Sequence, residues 1–192
     1  MTGDLGDFLT VNEFARDTPW LHGAAKLYAG DGIVLFAVAL LAGWWIARNA
    51  RDARLMARAL LGPVAVLVAV GLNQPIVHAV DEARPFTRAP QALVLVHRSV
   101  DASFPSDHAT MAGAVAAAVL LVSLRLGLAV VAAALLMAAD RVYVGAHYPV
   151  DVLAGLAFGA AVAVAVVLGL SWPLGSLVTR LRSTRLRPLL SA

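Results

Sequence analysis

The chain has 192 residues, of which 60% are hydrophobic and 14% charged, with a formal net charge of +3 and no cysteine. A soluble domain carries about 25% charged residues, and a small globule keeps too much surface to hide so apolar a composition. These numbers exclude a soluble enzyme, a disordered tail and a disulfide scaffold, and they leave no thiolate for a metal. What remains is an all-α integral membrane helical bundle, a single domain over 1–192, with the lipid bilayer as its solvent. The basic residues do not indicate nucleic acid: all but Lys26 are Arg, and they sit in short clusters between apolar runs. A nucleic-acid module places them on a soluble face among stacking aromatics.

In chain order, the first thirty residues are mixed and acidic, so no cleavable signal peptide is expected. Within 5–27, Phe8, Leu9, Val11, Phe14, Trp20 and Leu21 alternate with Asp7, Glu13, Arg16 and Asp17. This pattern predicts an amphipathic segment lying at the membrane interface. Crossing the hydrocarbon takes about 20 apolar residues as helix, and five spans are predicted, over 28–47, 55–80, 108–124, 126–142 and 149–170. The second contains Pro63, Asn73, Gln74 and Pro75, so it is expected to kink or to end early. The third and fourth are joined so closely that they form a tight antiparallel hairpin, and their alanines allow close helix contact. Residues 81–106 form the one long loop, and a loop of that length inside a compact domain is usually functional. Residues 171–192 read as a basic tail.

Charged groups beside a membrane are costly and usually functional. They concentrate in three stretches, 81–86, 101–108 and 140–151. With antiparallel spans, all three fall on one membrane face, and Arg84, Ser106, His108, Arg141, His147 and Asp151 converge at one depth. Two guanidiniums can grip phosphate oxygens and stay charged at any working pH. Ser106 stands where an N-cap belongs and Pro149 suits a first helical turn, so two helix N-termini favour an anion in the same pocket. Of two histidines, one can attack phosphorus while the other protonates the leaving oxygen. Asp151 can hold the attacking imidazole in the right tautomer. Taken singly, an Arg at a helix end is an ordinary interfacial anchor, and the joint occurrence carries the reading. A His-His-Asp set can bind a metal, but the adjacent arginines repel a cation, so neither metal nor cofactor is expected.

These stretches resemble the type 2 phosphatidic acid phosphatase superfamily. Its pattern is Lys, six residues and Arg-Pro; then Pro-Ser-Gly-His; then Ser-Arg, five residues, His, three residues and Asp. Arg84-Pro85 matches the end of the first motif, Pro105-Ser106-Asp107-His108 the second except at its third position, and Arg141, His147 and Asp151 the spacing of the third. The resemblance runs from about residue 73 to 160. It implies that His147 is the nucleophile that forms a phosphohistidine, that Asp151 orients it, and that His108 is the general acid. Arg84, Ser106 and Arg141, with Pro105 and Asp107 of the second motif, would form the substrate-binding set. Three positions depart from the pattern: Val77 replaces the Lys, Asp107 the Gly and Asp140 the Ser. His78, Arg88 and Arg98 are the candidates to replace the missing cation. The run 101–108, with 83–86 upstream, is similar to the bacterial undecaprenyl-diphosphate phosphatase branch. The resemblance thus implies hydrolysis of the terminal phosphate of a polyprenyl diphosphate. Phosphatidylglycerol phosphate, phosphatidate or a polyprenyl-phosphosugar phosphate are alternative substrates. A non-enzymatic alternative is a small anion-binding transporter or assembly partner.

Charge asymmetry predicts the orientation. Opposite the motifs lie Arg48, Arg51, Arg54, Arg58, Arg125, Arg180, Arg182, Arg185 and Arg187, against the single acid Asp52. Basic flanks mark the cytoplasmic side. The expectation is a multi-pass protein of the inner (plasma) membrane, with its site extracytoplasmic and the 171–192 tail cytoplasmic.

Overall fold

The computed structural model describes residues 2–191. In chain order the helices are α1 (Thr2–Asp17), α2 (His22–Asp31), α3 (Ile33–Ala50), α4 (Ala53–Val80), the single turn α5 (Pro85–Arg88), α6 (Asp107–Leu120), α7 (Leu124–Tyr143), α8 (Pro149–Leu181) and the short α9 (Arg187–Leu190). A 3₁₀ turn at Pro19–Leu21 joins α1 to α2. No strand occurs among the described residues.

Four helices, α3, α4, α7 and α8, are long and apolar enough to cross a membrane. Large apolar side chains such as Leu41, Leu67, Leu135 and Leu153 point outward along them. An exterior of that kind is stable against lipid, not against water. α6 has 14 residues, about 21 Å of helix, and lies at the centre of the bundle. It is buried almost throughout from Ala109 to Val119 and makes its largest contacts with α8, then α7 and α4. Its alanines let these three helices close around it. The hairpin prediction holds, since only Leu121, Val122 and Ser123 separate α6 from α7.

The buried positions of α8 include Asp151, Gly155, Gly159, Ala163, Val167, Ser171 and Gly175. That is a strict four-residue step along one face. A Cβ added to Gly159 would stand 1.9 Å from the Thr110 carbonyl oxygen of α6, so only glycine permits this approach. The stripe locks the first turn of α6 against the first turn of α8, and both turns carry site residues.

α4, expected to kink or to end early, does not end early: it continues as helix to Val80, and neighbouring helices hold a proline-containing span together when the missing backbone bond is made good by context. Two further elements differ from expectation. The first span is broken at Gly32, where α2 ends and α3 begins. α8 continues past Leu170 to Leu181, so 171–181 is helix rather than tail. The remainder folds back: Arg182 donates to the Arg51 carbonyl (2.8 Å), Arg48 donates to the Pro188 carbonyl (2.7 Å), and Leu190 is buried.

The N-terminal segment is helical and packs on the rim that carries the motifs. Phe8 is fully buried edge-on against Tyr148, with ring centroids 5.9 Å apart. Asn12, also buried, donates to the Leu93 carbonyl (2.8 Å) and accepts from the Leu93 N–H (2.9 Å). α1 thus clamps the long loop, while Phe14 and Trp20 stay exposed.

Candidate active site

Each chemical group is delivered by a helix end or by the loop beside it. Ser106 is the N-cap of α6 and puts His108 in its first turn. Arg141 lies in the last turn of α7. The chain then turns through Gly145, whose φ of +82° favours glycine; a Cβ there would also meet the Leu93 carbonyl at 2.4 Å. Next comes His147, and Asp151 sits in the first turn of α8. Asp151 Oδ2 accepts the backbone N–H of Tyr148 at 2.9 Å, which caps the helix and fixes the carboxylate.

These groups surround a cavity of about 550 Å³ whose lining includes Arg84, His108, Arg141 and His147. Arg84 is held by two carbonyls, donating from Nε to Asp101 (2.8 Å) and from Nη1 to Ala146 (3.1 Å). The same Nη1 lies 3.3 Å from His147 Nε2. On the other side of the ring, Nδ1 lies 2.9 Å from the Ser103 carbonyl oxygen and 3.5 Å from Asp151 Oδ2. With Nδ1–H donating, Nε2 keeps its lone pair and faces the cavity. Burial pushes the His147 imidazole below its ordinary pKa, and its bond with Asp151 pulls partly the other way. The shift favours the neutral ring. Burial also draws the Arg84 guanidinium below its ordinary value, against the carboxylates of Asp101, Asp151 and Asp107.

Arg141 is buried, and its Nε has no hydrogen-bond partner among the described residues. A buried cation left in that condition is costly unless an anion joins it. Among the described residues, no cluster of three His, Asp or Glu side chains could hold a metal.

The structure thus gathers Arg84, Pro105, Asp107, His108, Arg141 and His147 around one cavity. Asp151 stands fully buried behind His147. Ser106 takes its expected N-cap place but is not among the residues lining the cavity. It is buried beneath the cavity, its hydroxyl faces the Ala109 N–H at 3.5 Å, and its N–H donates to the Asp151 carbonyl at 3.1 Å. That hydroxyl faces the first turn of α6, at the start of the helix. Asp107 is tied to α4, accepting on Oδ1 from Asn73 (2.7 Å) and Gln74 (2.9 Å). Val77 lines the cavity where the motif has Lys, and of the three candidate replacements only His78 lines it too. Arg88 pairs with Glu82 at 4.0 Å, and Arg98 stacks over the Phe86 ring at 5.5 Å. Two residues escaped the sequence reading: His97 on the cavity wall and Ser103 behind it. The composition of the loop 81–106 held no signal that would single out either one.

Fold and site together define a multi-span helical membrane protein with a cationic, histidine-bearing cavity at one rim. The chain belongs to the PAP2 superfamily, whose profile matches residues 58–173. It is 36% identical over 137 residues to Undecaprenyl-diphosphatase BcrC of Bacillus subtilis (strain 168), a match covering 71% of this chain and 65% of that protein. It is 30% identical over 159 residues to YbjG of Escherichia coli (strain K12), provisionally named an undecaprenyl-diphosphatase, covering 81% of this chain and 77% of the relative. In fold it is similar to the crystal structure of a transmembrane PAP2-type phosphatidylglycerolphosphate phosphatase from Bacillus subtilis. The TM-score is 0.61 at 20% identity, covering 88% of this chain and 84% of that one.

Proposed function

We propose that this protein is a membrane lipid phosphatase that removes the terminal phosphate of a polyprenyl diphosphate, converting undecaprenyl diphosphate to undecaprenyl phosphate. The observation that carries the reading is the buried Arg141 guanidinium, unpartnered at Nε, on the wall of a cavity shared with Arg84 and both histidines. Such a cavity selects a phosphate-bearing anion. The names of the relatives, BcrC above all, supply the polyprenyl diphosphate.

In this reading Arg84 and Arg141 hold the terminal phosphate, helped by the α6 N-terminus. His147 Nε2 attacks phosphorus, and the bond to the bridging oxygen breaks. His108, which takes up a proton as the bound anion favours its charged form, passes that proton to the oxygen, which leaves as undecaprenyl phosphate. Neutral His108 then takes a proton from water, whose oxygen attacks the phosphohistidine and releases orthophosphate. The ring proton on Nδ1 stays in place throughout, held by the Ser103 carbonyl and the nearby Asp151 carboxylate. Ser106 serves as helix cap rather than as a direct ligand of substrate.

A membrane setting suits this chemistry because the tail stays in lipid while the head reaches the rim. The charge asymmetry supports an extracytoplasmic site in the plasma membrane, with the arginine-rich rim inside. Exposed Phe14 and Trp20 on the N-terminal segment support its lying in the interface on the outer side.

The test is phosphate release by purified protein in EDTA, comparing undecaprenyl diphosphate with phosphatidylglycerol phosphate. Faster release from the diphosphate is expected, and His147→Ala should insert normally but release none. Binding of either lipid without release would point to the transporter or assembly-partner reading.

A further inference from the structure

Asp151 is the expected partner of His147, yet it is not the nearest acceptor of the Nδ1 proton. The Asp151 Oδ2 stands 3.5 Å from Nδ1, while the Ser103 carbonyl oxygen stands at 2.9 Å. A separation of 3.5 Å is long for a hydrogen bond to nitrogen. The Asp151 carboxylate is held instead by two other donors, the Tyr148 N–H at 2.9 Å and the Ser103 hydroxyl. Ser103 therefore touches both members of the pair, the imidazole chiefly through its carbonyl and the carboxylate through its Oγ, which itself stands 3.5 Å from Nδ1. It is fully buried, and its own N–H is tied to the Glu82 carbonyl at 2.7 Å.

We propose that Ser103 is a positioning residue for the reaction: its hydroxyl holds the Asp151 carboxylate off the imidazole ring, so that the Ser103 carbonyl sets the tautomer and aim of His147. This rests on the phosphatase reading. Ser103 does not line the cavity, so it acts through His147 and Asp151 alone. Two carbonyls of one stretch share the work, that of Asp101 taking Arg84 Nε at 2.8 Å and that of Ser103 taking His147. One short segment thus sets the distance between phosphate holder and nucleophile. Without the Ser103 hydroxyl, Oδ2 loses one donor, swings toward Nδ1 and draws the ring away from the Ser103 carbonyl. Nε2 then leaves the line of attack, which affects turnover more than binding.

The experiment is a double-mutant cycle on turnover of undecaprenyl diphosphate by the full chain. Ser103→Ala should lower kcat about ten- to hundredfold, as loss of a partner that orients a working histidine does in metal sites, with KM within about twofold. In an Asp151→Ala background the same substitution should cost less than about twofold further, because the group it positions is gone. Ser103→Cys keeps the volume and only a weak donor; it stands in for Ser103→Ala if that variant fails to fold. Wild-type kcat in the variant, or an equal loss in both backgrounds, overturns the assignment. No phosphate release by the wild-type protein overturns the phosphatase reading itself, an outcome distinct from either.

Discussion

Nη1 of Arg84 stands 3.3 Å from Nε2 of His147, across 63 positions of sequence. The guanidinium is already aimed because two carbonyls, of Asp101 and Ala146, hold its other N–H groups. On the proposed mechanism, a phosphate oxygen bound to that fork arrives beside His147 Nε2. The fork matters as well as the charge. Lys presents one ammonium and cannot bridge both carbonyls and a phosphate in one plane. Arg84→Lys should lower kcat/KM by about 1.5–3 kcal/mol, the worth of a charge-assisted hydrogen bond, which is about ten- to hundredfold. Steady-state phosphate release measures it, and a loss under threefold would show that Arg84 acts only as a point charge.

The protonation of His147 sets the acid limit. Its imidazole is pushed below the ordinary value of 6.5, burial being the largest cause, while the Asp151 bond pulls upward. On the proposed mechanism His147 attacks as the neutral ring, so kcat should hold as pH falls through 6.5 and drop only further into acid. Asp151→Asn removes the upward pull and should move that limb to still lower pH, beside any loss in rate. The stability effect has the opposite consequence at acid pH. The unfolded chain binds this proton near pH 6.5 and the folded site refuses it, so folding weakens as pH falls below that range. A pH–rate profile for both proteins, with thermal melting across the same range, checks the two statements. An acid limb above pH 6.5 in the wild type would contradict the first.

The sequence disclosed the site more fully than its supports. Arg84, His108, Arg141 and His147 were legible because each stands at a fixed spacing from a helix end, and antiparallel spans must bring those ends together. Five apolar stretches were legible for the same reason that four of them can cross a bilayer, namely length and the absence of charge. What stayed hidden depends on tertiary detail. Ser106 was legible as an N-cap, but that its hydroxyl faces its own helix was not. The end of α8 was misplaced at Leu170 because Trp172 and Pro173 resemble a boundary, whereas Ser171 and Gly175 continue the four-residue stripe. Ser103 is a small polar residue in a loop, and only the folded position of Asp151 gives it meaning.

Asp107 brings a carboxylate to the cavity proposed to take an anion, and it is held there by two donors from α4. Its Oδ1 accepts from Asn73 and Gln74 at 2.7 and 2.9 Å, joining α4 to the N-terminus of α6. Asp107→Ala should therefore act in two directions. The lost hydrogen bonds, one from the fully buried Asn73, should destabilise the fold by about 1–3 kcal/mol. Removing a like charge should tighten inhibition by orthovanadate severalfold. Melting temperature and the inhibition constant report the two effects separately. An inhibition constant that stays the same or weakens would mean that the carboxylate faces away from the bound anion.

The α6–α8 contact decides whether the site assembles at all. Gly155 and Gly159 are one helical turn apart on α8, and their missing side chains admit the backbone of α6. An added Cβ would lie 2.7 Å from the Ser106 carbonyl oxygen at position 155 and 1.9 Å from that of Thr110 at position 159. Both neighbours are backbone, which cannot swing aside as a flexible side chain would. Gly159→Ala must therefore push the helices apart, at about 1–3 kcal/mol of overpacking, and Gly159→Leu further still. In lipid no hydrophobic drive restores the contact, since its stability comes from close packing. His108 rides on α6 and Asp151 on α8, so separation carries the proposed general acid away from the carboxylate beside His147, the proposed nucleophile. kcat should fall more steeply than the melting temperature along the series Gly, Ala, Leu, because a displacement of about 1 Å costs up to a hundredfold in rate. Gly169, around which no atom lies within 4 Å of an added Cβ, is the control: Gly169→Ala on the outward face of the same helix should leave both quantities unchanged. Full activity in Gly159→Leu would show that the α6–α8 spacing does not govern the site.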